Sequence, residues 1–344
     1  GIAQTAALRG FATRVIDKIP ASLVRCRAMI AAEIKKKVAR RDLEPHQARR
    51  TLAGLTFSTS LDGLRGVDLV IEAAPERRDI KDAVLRAVAA AVGPDAIIAT
   101  NTSSFPLADL ATSVLDPQRF VGIHFFNPAP KMPLVEVVRG PDTAEAVVER
   151  AVKFAKDLGK TPLVVADGPG FLVNRLLAPY LADACKLAAE GVPITAIDAD
   201  LEAFGMPMGP FTLMDTVGLD VLKDVGDHLA ARGGAGVHPM VLKLAAAGRF
   251  GRKSGRGFYK WNKDGRRGAP DPTAVPASGA GTATPASGAI AKRLIDVMIA
   301  EARAALADGL VPTAEEIDLG TIFGIGFPAF RGGLMRHAAK GDAS

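Results

Sequence analysis

Cysteines and long apolar runs are both scarce in this sequence. No uncharged apolar run reaches the roughly 18 residues that a membrane-spanning helix needs, so we expect no integral membrane segment. The two cysteines, Cys26 and Cys185, lie far apart within helical patterns. They form neither a disulfide framework nor the ligand spacing of a metal site, so we expect no bound metal, and a reducing compartment fits this usage.

Aromatic residues make up only 5% of the sequence, and the net charge of the chain is +6 at neutral pH. An excess of basic residues is compatible with nucleic acid, acidic lipid or an anionic small molecule. The densest basic run is EIKKKVARR, residues 33–41, on a predicted helix that can equally be a solvated face. No aromatic residues are interleaved with it, so we expect no nucleic-acid partner.

The sequence also begins without methionine or a signal segment, and GIAQTAALRGF opens as though already inside a helix. We therefore expect a fragment of a longer protein. Its 344 residues suffice for about two or three domains.

Through the first half, short apolar segments alternate with helical patterns. The predicted strands lie at residues 13–17, 66–74, 96–104, 120–127, 134–140 and 161–167. The predicted helices lie at residues 2–9, 21–41, 77–92 and 142–158. Apolar strands that alternate with helices are typical of an α/β fold, a doubly wound parallel sheet covered on both faces.

Strand patterns stop after GPGF, residues 168–171, and helix and turn are predicted from there onward. A stretch rich in Gly, Pro, Ala and Ser has the composition of a linker. Residues 190–215 and 308–335 share the order Gly, Pro, Ile-Asp and a Gly/Pro/Phe turn, which indicates a duplicated helical module in an all-α region. The predicted domains are 1–167 (sheet), 168–262 (helical), 263–288 (linker) and 289–344 (second helical copy).

Polar or small residues follow three of the predicted strands. Asp17 ends TRVID, where a dinucleotide-binding fold places the acid that binds the adenosine ribose, although a strand-terminal Asp is more often a turn former. VIEAAPE, residues 70–76, and ATNTSS, residues 99–104, end at the same predicted sheet edge. Ligands bind at this edge in such folds, so three such strand ends are better support than one.

The apolar stretch GIHFFNPAPKMPLVEVV, residues 122–138, contains one histidine, His124, and one carboxylate, Glu136. A lone histidine in an apolar strand is more often a satisfied core residue than a catalyst. An unpaired buried charge is costly, however, so a nearby carboxylate favours a pair. The two side chains are either separate buried groups or partners of each other.

Six motifs in order carry a family resemblance: IEAAPERRDIK, ATNTSS, GIHFFNPAPKMPLVEVV, DGPGFLVNRLLAPYL, GMPMGPFTLMD and FGRKSGRGFYKW. Together they resemble the L-3-hydroxyacyl-CoA dehydrogenase family, from residue 1 to about 262. The second helical copy, with GFPAFRGG, looks like the extra module of the multifunctional fatty-acid oxidation alpha subunit. The resemblance implies a Rossmann-type sheet whose first strand and Gly-rich loop precede residue 1, so we expect the chain as given to be weakly active or inactive.

The resemblance also implies site residues. His124 and Glu136 match the catalytic pair, and Ser103 and Asn174 match residues that hydrogen-bond the substrate oxygen and the histidine. The residues expected around NAD are Asp17, Ala73, Glu76, Lys81, Ser103, Asn127 and Lys253. The residues expected along coenzyme A are Lys36, Lys37 and Arg40.

The expected activity is NAD-dependent oxidation of L-3-hydroxyacyl-CoA to 3-ketoacyl-CoA in fatty-acid beta-oxidation, within a multifunctional hydratase/dehydrogenase chain. One alternative is a stand-alone 3-hydroxybutyryl-CoA dehydrogenase. The linker and the second helical copy argue against it, because single-function enzymes of this family usually end near the FYKW motif. The other is a non-catalytic scaffold of the same fold. A homodimer, with or without a thiolase subunit, is expected. The bacterial-looking composition favours the cytoplasm, and a mitochondrial location stays open.

Overall fold

The computed structural model describes residues 1–230, 236–275 and 286–342, and the chain divides into two compact units. The first unit comprises residues 1–101 and 110–162, and the second comprises residues 102–109 and 163–344. The domain bounds drawn from the sequence stay a prediction. Within the predicted linker, residues 276–285 lie outside the described residues.

Short strands alternate with helices through residues 1–166. The helices are α1 (Ile2–Leu8), α2 (Pro20–Ala39), α3 (Pro45–Ala53), α4 (Arg78–Ala91), α5 (Leu107–Ala111) and α6 (Glu145–Asp157). The strands are β1 (Thr13–Ile16), β2 (Leu55–Ser58), β3 (Leu69–Glu72), β4 (Ile97–Thr100), β5 (Phe120–Phe125), β6 (Leu134–Arg139) and β7 (Thr161–Ala166). All six predicted strands are confirmed, whereas β2, α3 and α5 were not predicted.

The central sheet has five strands in the order β3-β4-β5-β6-β7, and β1 pairs with β2 in a separate parallel sheet. Strands β3, β4 and β5 are parallel, whereas β5 and β6 are antiparallel. Residues 126–133, which connect β5 to β6, are too few for the crossover of a dozen or more residues that a parallel return needs. The predicted fold is thus confirmed as a sheet dominated by parallel strands, with one antiparallel return.

Two amphipathic helices pack on this sheet. Helix α4 contacts β3 and β4 and buries Leu85, Val88 and Ala89, which lie three and four residues apart on one helical face. Helix α6 contacts β5 and β6 and buries Val148 and Ala151 in the same way. Strands β4 and β5 have no exposed residue, so they read as continuous apolar runs in the sequence.

The second unit is mainly helical. Its helices are α7 (Val173–Ala189), α8 (Ile194–Phe204), α9 (Pro210–Val217), α10 (Leu219–Ala230), α11 (Pro239–Ala246), α12 (Ala289–Ala307), α13 (Ala314–Gly320) and α14 (Leu334–Asp342). The prediction of helix and turn alone was wrong at β8 (Tyr259–Trp261) and β9 (Arg267–Pro270), which pair antiparallel. Strand β9 lies in the predicted linker. No helix in the described ranges is long and apolar enough to span a membrane.

The sequence repeat has a counterpart in two aspartates that cap helices. Asp198 in α8 accepts hydrogen bonds from the backbone N–H groups of Phe211 and Thr212, at the start of α9. Asp318 in α13 accepts them from Met335 and Arg336, at the start of α14. The second copy has one more residue between its aspartate and the next positive-φ glycine, and a π-helix over Thr321–Ile325 accommodates it.

Candidate active site

His124 on β5 and Glu136 on β6 are cross-strand partners. They are directly opposite in the antiparallel register, His124↔Glu136. Directly opposed residues in an antiparallel pair project from the same face with their Cβ atoms about 4.5–5.5 Å apart. The backbone pairing therefore places imidazole and carboxylate side by side, and the predicted partnership is present.

The contact between the two side chains is short and buried. The distance from His124 Nδ1 to Glu136 Oε2 is 2.7 Å, with 5% of His124 and none of Glu136 exposed. An ionised carboxylate only accepts hydrogen bonds, so Nδ1 carries the proton and, in the neutral ring, Nε2 carries the lone pair. The ring of Phe126 lies 4.6 Å from the imidazole, centroid to centroid. This is the arrangement of an oriented general base.

The connection between these strands is tied down by Lys160. Its Nζ donates to the backbone carbonyls of Ala129 and Met132, each at 2.6 Å. Burial and, to a smaller extent, the charge of Arg9 lower the pKa of Lys160. Because both bonds fix backbone groups of residues 126–133, Lys160 stabilises the turn that sets the β5–β6 register. Sequence analysis did not single out Lys160, which lies outside the recognised motifs.

Asn101, which follows β4, reaches the end of β5 with its side chain. Its Oδ1 accepts the backbone N–H of Phe125, the residue after His124, at 2.9 Å. Its own backbone N–H donates to the carbonyl of Glu72 at 2.8 Å. The motif ATNTSS was recognised as a strand end, but the role of Asn101 depends on strand register and was missed.

A buried ion cluster lies where β3 ends. Lys81 is 1% exposed, and its Nζ is 3.1 Å from Glu72 Oε1, 3.1 Å from Glu76 Oε2 and 3.3 Å from the carbonyl of Ala74. Glu72 also accepts the hydroxyl of Thr100 at 2.6 Å. The structure thus brings together Glu76 and Lys81, two of the predicted cofactor residues. It adds Glu72, which sequence analysis missed.

Ser103 and Asn174 meet in the second unit. Asn174 Nδ2 donates to the backbone carbonyl of Ser103 at 3.2 Å. Asp167 holds the same segment, because its carboxylate accepts the N–H groups of Leu107 and Ala108, both at 2.8 Å. Burial raises the pKa of Asp167. Two of the four predicted catalytic residues are therefore positioned together, with Asp167 as an unpredicted support.

The other predicted residues occupy separate places. Asp17, directly after β1, accepts the N–H of Ile19 at 2.8 Å, which is the geometry of a turn former. Ala73 and Asn127 are exposed just beyond β3 and β5. In the second unit, Lys253 forms an ion pair with Asp220. The roles that the resemblance implies for these residues stay predictions.

The basic residues of α2 lie along its solvated side. Lys36 and Arg40 are exposed, and Lys37 is half-buried. Lys36 pairs with Glu33 at 2.6 Å, one turn earlier in the helix. Such an exposed pair contributes little to stability. The contact with coenzyme A that the resemblance implies for these residues stays a prediction.

Comparisons with known sequences identify the family of the chain. The sequence model of the 3-hydroxyacyl-CoA dehydrogenase NAD binding domain matches residues 1–168, and that of the C-terminal domain matches residues 170–261. Fatty acid oxidation complex subunit alpha is 41% identical over 320 residues in Colwellia psychrerythraea and 38% over 352 residues in Idiomarina loihiensis. These alignments cover 88% and 98% of this chain and 44% and 48% of the relatives, so the chain spans about half their length.

Solved structures extend the likeness to three dimensions. FadB2 from M. tuberculosis is 37% identical with a TM-score of 0.73, over 76% of this chain and 94% of that one. A 3-hydroxybutyryl-CoA dehydrogenase from Escherichia coli K12 is 29% identical with a TM-score of 0.80, over 97% of this chain and 89% of that one. The chain therefore belongs to the 3-hydroxyacyl-CoA dehydrogenase family of NAD-dependent oxidoreductases.

Proposed function

We propose that the protein containing this chain oxidises L-3-hydroxyacyl-CoA to 3-ketoacyl-CoA, with NAD as the hydride acceptor, in fatty-acid beta-oxidation. The buried His124–Glu136 pair is the observation that carries this proposal, because it supplies an oriented base on a strand of the sheet. Membership of the family and the names of the curated relatives support the same reaction.

In the proposed step, Nε2 of His124 takes the proton of the substrate 3-hydroxyl while a hydride leaves C3. NAD, when bound, supplies the acceptor for that hydride, so the carbon is oxidised to a ketone. The imidazole becomes imidazolium, and the carboxylate of Glu136 stabilises this charge through the Nδ1–H bond. Holding the base in place in advance lowers the entropic part of the barrier.

The residues at the carboxyl ends of β1 and β3 fit a dinucleotide. Asp17 has a partly exposed carboxylate that can accept ribose hydroxyls, and Ala73 is small enough for close approach. The side chain of Glu76 is 21% exposed, whereas that of Lys81 is 1% exposed. We therefore assign Lys81 a supporting role, in which it holds Glu76 toward the cofactor.

For the acyl-CoA, the basic side of α2 is the proposed contact with the phosphates of coenzyme A. Lys36 and Arg40 are exposed there and Lys37 is partly so. Charge-assisted bonds from such side chains to phosphate are strong, and they account for the positive run without nucleic acid.

The second helical module was predicted to argue against the alternative function, a stand-alone 3-hydroxybutyryl-CoA dehydrogenase. Its presence does not distinguish that alternative from the main proposal. A solved structure of such an enzyme from Escherichia coli matches 97% of this chain, so we retain this enzyme as the second candidate function. A non-catalytic scaffold is disfavoured, because both members of the proposed catalytic dyad, His124 and Glu136, are present and in contact.

The curated relatives are subunits of a fatty acid oxidation complex, and this supports a protein that works with partners. We propose a multifunctional hydratase/dehydrogenase chain that associates with a thiolase subunit and forms a homodimer. The bacterial origin of those relatives supports a cytoplasmic location.

The test is a substrate series on the complete protein, followed by NADH absorbance. We expect turnover with L-3-hydroxyacyl-CoA esters of short and long chains and none with the D enantiomers. Activity confined to the four-carbon ester would favour the 3-hydroxybutyryl-CoA alternative. Binding of substrate and NAD without any turnover would instead support the scaffold.

A further inference from the structure

We propose that Asn101 is a positioning residue for His124, and this proposal rests on the function proposed above. The contact concerned is the hydrogen bond from the backbone N–H of Phe125 to Asn101 Oδ1, at 2.9 Å. Asn101 lies in the first unit, as His124 and Glu136 do.

The side-chain bond from Asn101 extends the β4–β5 hydrogen-bond ladder beyond the last backbone pair. Strand β4 pairs with β5 as far as Thr100↔Gly122, and β5 continues to Phe125. The amide oxygen of Asn101 stands in for the backbone carbonyl that a longer β4 would offer. Phe125 is 7% exposed, and a buried N–H in this position needs an acceptor.

The same bond fixes the peptide group that joins His124 to Phe125. Glu136 holds the imidazole at Nδ1, which sets the tautomer and the ring orientation. Asn101 holds the backbone on which the ring is carried, so the two contacts constrain different ends of one residue. Removal of either should misplace Nε2, and displacement of a catalytic group by about 1 Å can cost on the order of 100-fold in rate.

Asn101 is also anchored from its other side. Its backbone N–H donates to the carbonyl of Glu72, and the carboxylate of Glu72 is bonded to Lys81 and Thr100. The position of His124 is thereby coupled, through β4, to the ion cluster that follows β3. A side chain fixed in this way makes a rigid support.

The experiment measures kcat, KM and Tm for variants of the complete protein. Asn101→Ala should lower kcat roughly tenfold to 100-fold, with KM for both substrates changed by less than about threefold. Asn101→Asp keeps an acceptor in place and should recover most of kcat. Asn101→Ser, whose hydroxyl is too short to reach Phe125, should behave like Asn101→Ala and serves if that variant does not fold.

Thr143→Ala is the matched control, because the hydroxyl of Thr143 donates to the carbonyl of Phe120 at the other end of β5. This variant should lower Tm while kcat stays near normal. In a His124→Gln background, Asn101→Ala should cause no further loss of kcat. An equal loss in that background, or an equal loss of kcat in Thr143→Ala, would overturn the proposal, whereas normal turnover of His124→Gln alone would overturn the proposed function instead.

Discussion

Glu136 lies directly opposite His124 in the antiparallel β5–β6 pair, with Oε2 2.7 Å from Nδ1. Side chains alternate between the two faces of a sheet, so a one-residue shift of β6 would turn Glu136 to the other face. The contact is thus a property of strand register, and residues 126–133, held by Lys160, set that register.

The first prediction concerns the dyad itself. Glu136→Gln removes the charge that stabilises the imidazolium, and His124→Gln removes the base. Each change should lower turnover by about 10²–10⁴-fold, the usual contribution of a positioned general base. Affinity for NAD should stay nearly unchanged, because neither side chain is proposed to hold the cofactor. Steady-state kinetics and calorimetry on the complete protein measure the two quantities.

Glu145→Gln is the control for these variants. Glu145 pairs with Arg139 at the end of β6, but both side chains are exposed. An exposed ion pair contributes little to stability, so turnover should be normal. Near-normal activity in both dyad variants would contradict the mechanism.

The second prediction concerns the buried cluster at the end of β3. Lys81→Met leaves the carboxylates of Glu72 and Glu76 without their ammonium partner in a site where Lys81 is 1% exposed. Breaking a buried ion pair in this way costs about 3–5 kcal/mol, so a large drop in Tm is expected. Asp157→Asn, which breaks the exposed pair with Lys153, should cost about 0.5 kcal/mol or less. Equal drops in Tm would show that Lys81 is not a structural partner.

Strands β4, β5 and β6 could be predicted because burial on both faces makes them nearly continuous apolar runs. Strand β2, residues Leu55–Ser58, is short and half-buried, and α3 buries only Ala48 and Thr51. Neither segment has the apolar periodicity that identifies an element. Strand β8 has only three residues and pairs with a segment of linker-like composition. These elements form because of their tertiary neighbours, which a local pattern does not reveal.

In the candidate site, too, some features could be predicted from the sequence and others could not. The cost of burying an unpaired carboxylate made a partnership of His124 and Glu136 one of two open readings, and the family resemblance implied it. The roles of Asn101 and Glu72 could not, because each depends on which residue of a neighbouring strand or helix lies beside it. Glu72 reads in the sequence as one more acid of IEAAPE, yet it is the buried partner of Lys81.

The third prediction is a pH effect on stability at Asp271. The guanidinium of Arg256, followed by the N–H and hydroxyl of Thr273 and the charge of Arg249, holds the pKa of Asp271 well below its usual range despite burial. A carboxyl with a lowered folded-state pKa adds stability above its unfolded pKa of about 3.9, and this stability is lost as the pH falls toward the folded value. Asp271→Asn should therefore cost about 1–3 kcal/mol at pH 7.

The measurement is Tm of the wild type and of Asp271→Asn across the acid range. The two plots of Tm against pH should be well separated near neutral pH. They should start to approach each other below about pH 4 and continue to do so as the pH falls toward the folded-state pKa. A separation that stays constant with pH would mean that the charge of Asp271 contributes nothing and that the variant is destabilised for another reason.

The fourth prediction tests the caps shared by the two helical copies. A Cβ at Gly209 would lie 2.2 Å from Cα of Asp198, and one at Gly333 would lie 2.4 Å from Cβ of Asp318. Gly209→Ala should cost about 1–3 kcal/mol from overpacking. Gly333→Ala should cost more, because φ is +106° there and an L side chain is strained in that region as well.

Gly66→Ala is the control, since a Cβ at Gly66 meets none of the described atoms within 4 Å. Thermal melts in which Gly209→Ala is as stable as Gly66→Ala would contradict the close contact between Gly209 and its capping aspartate.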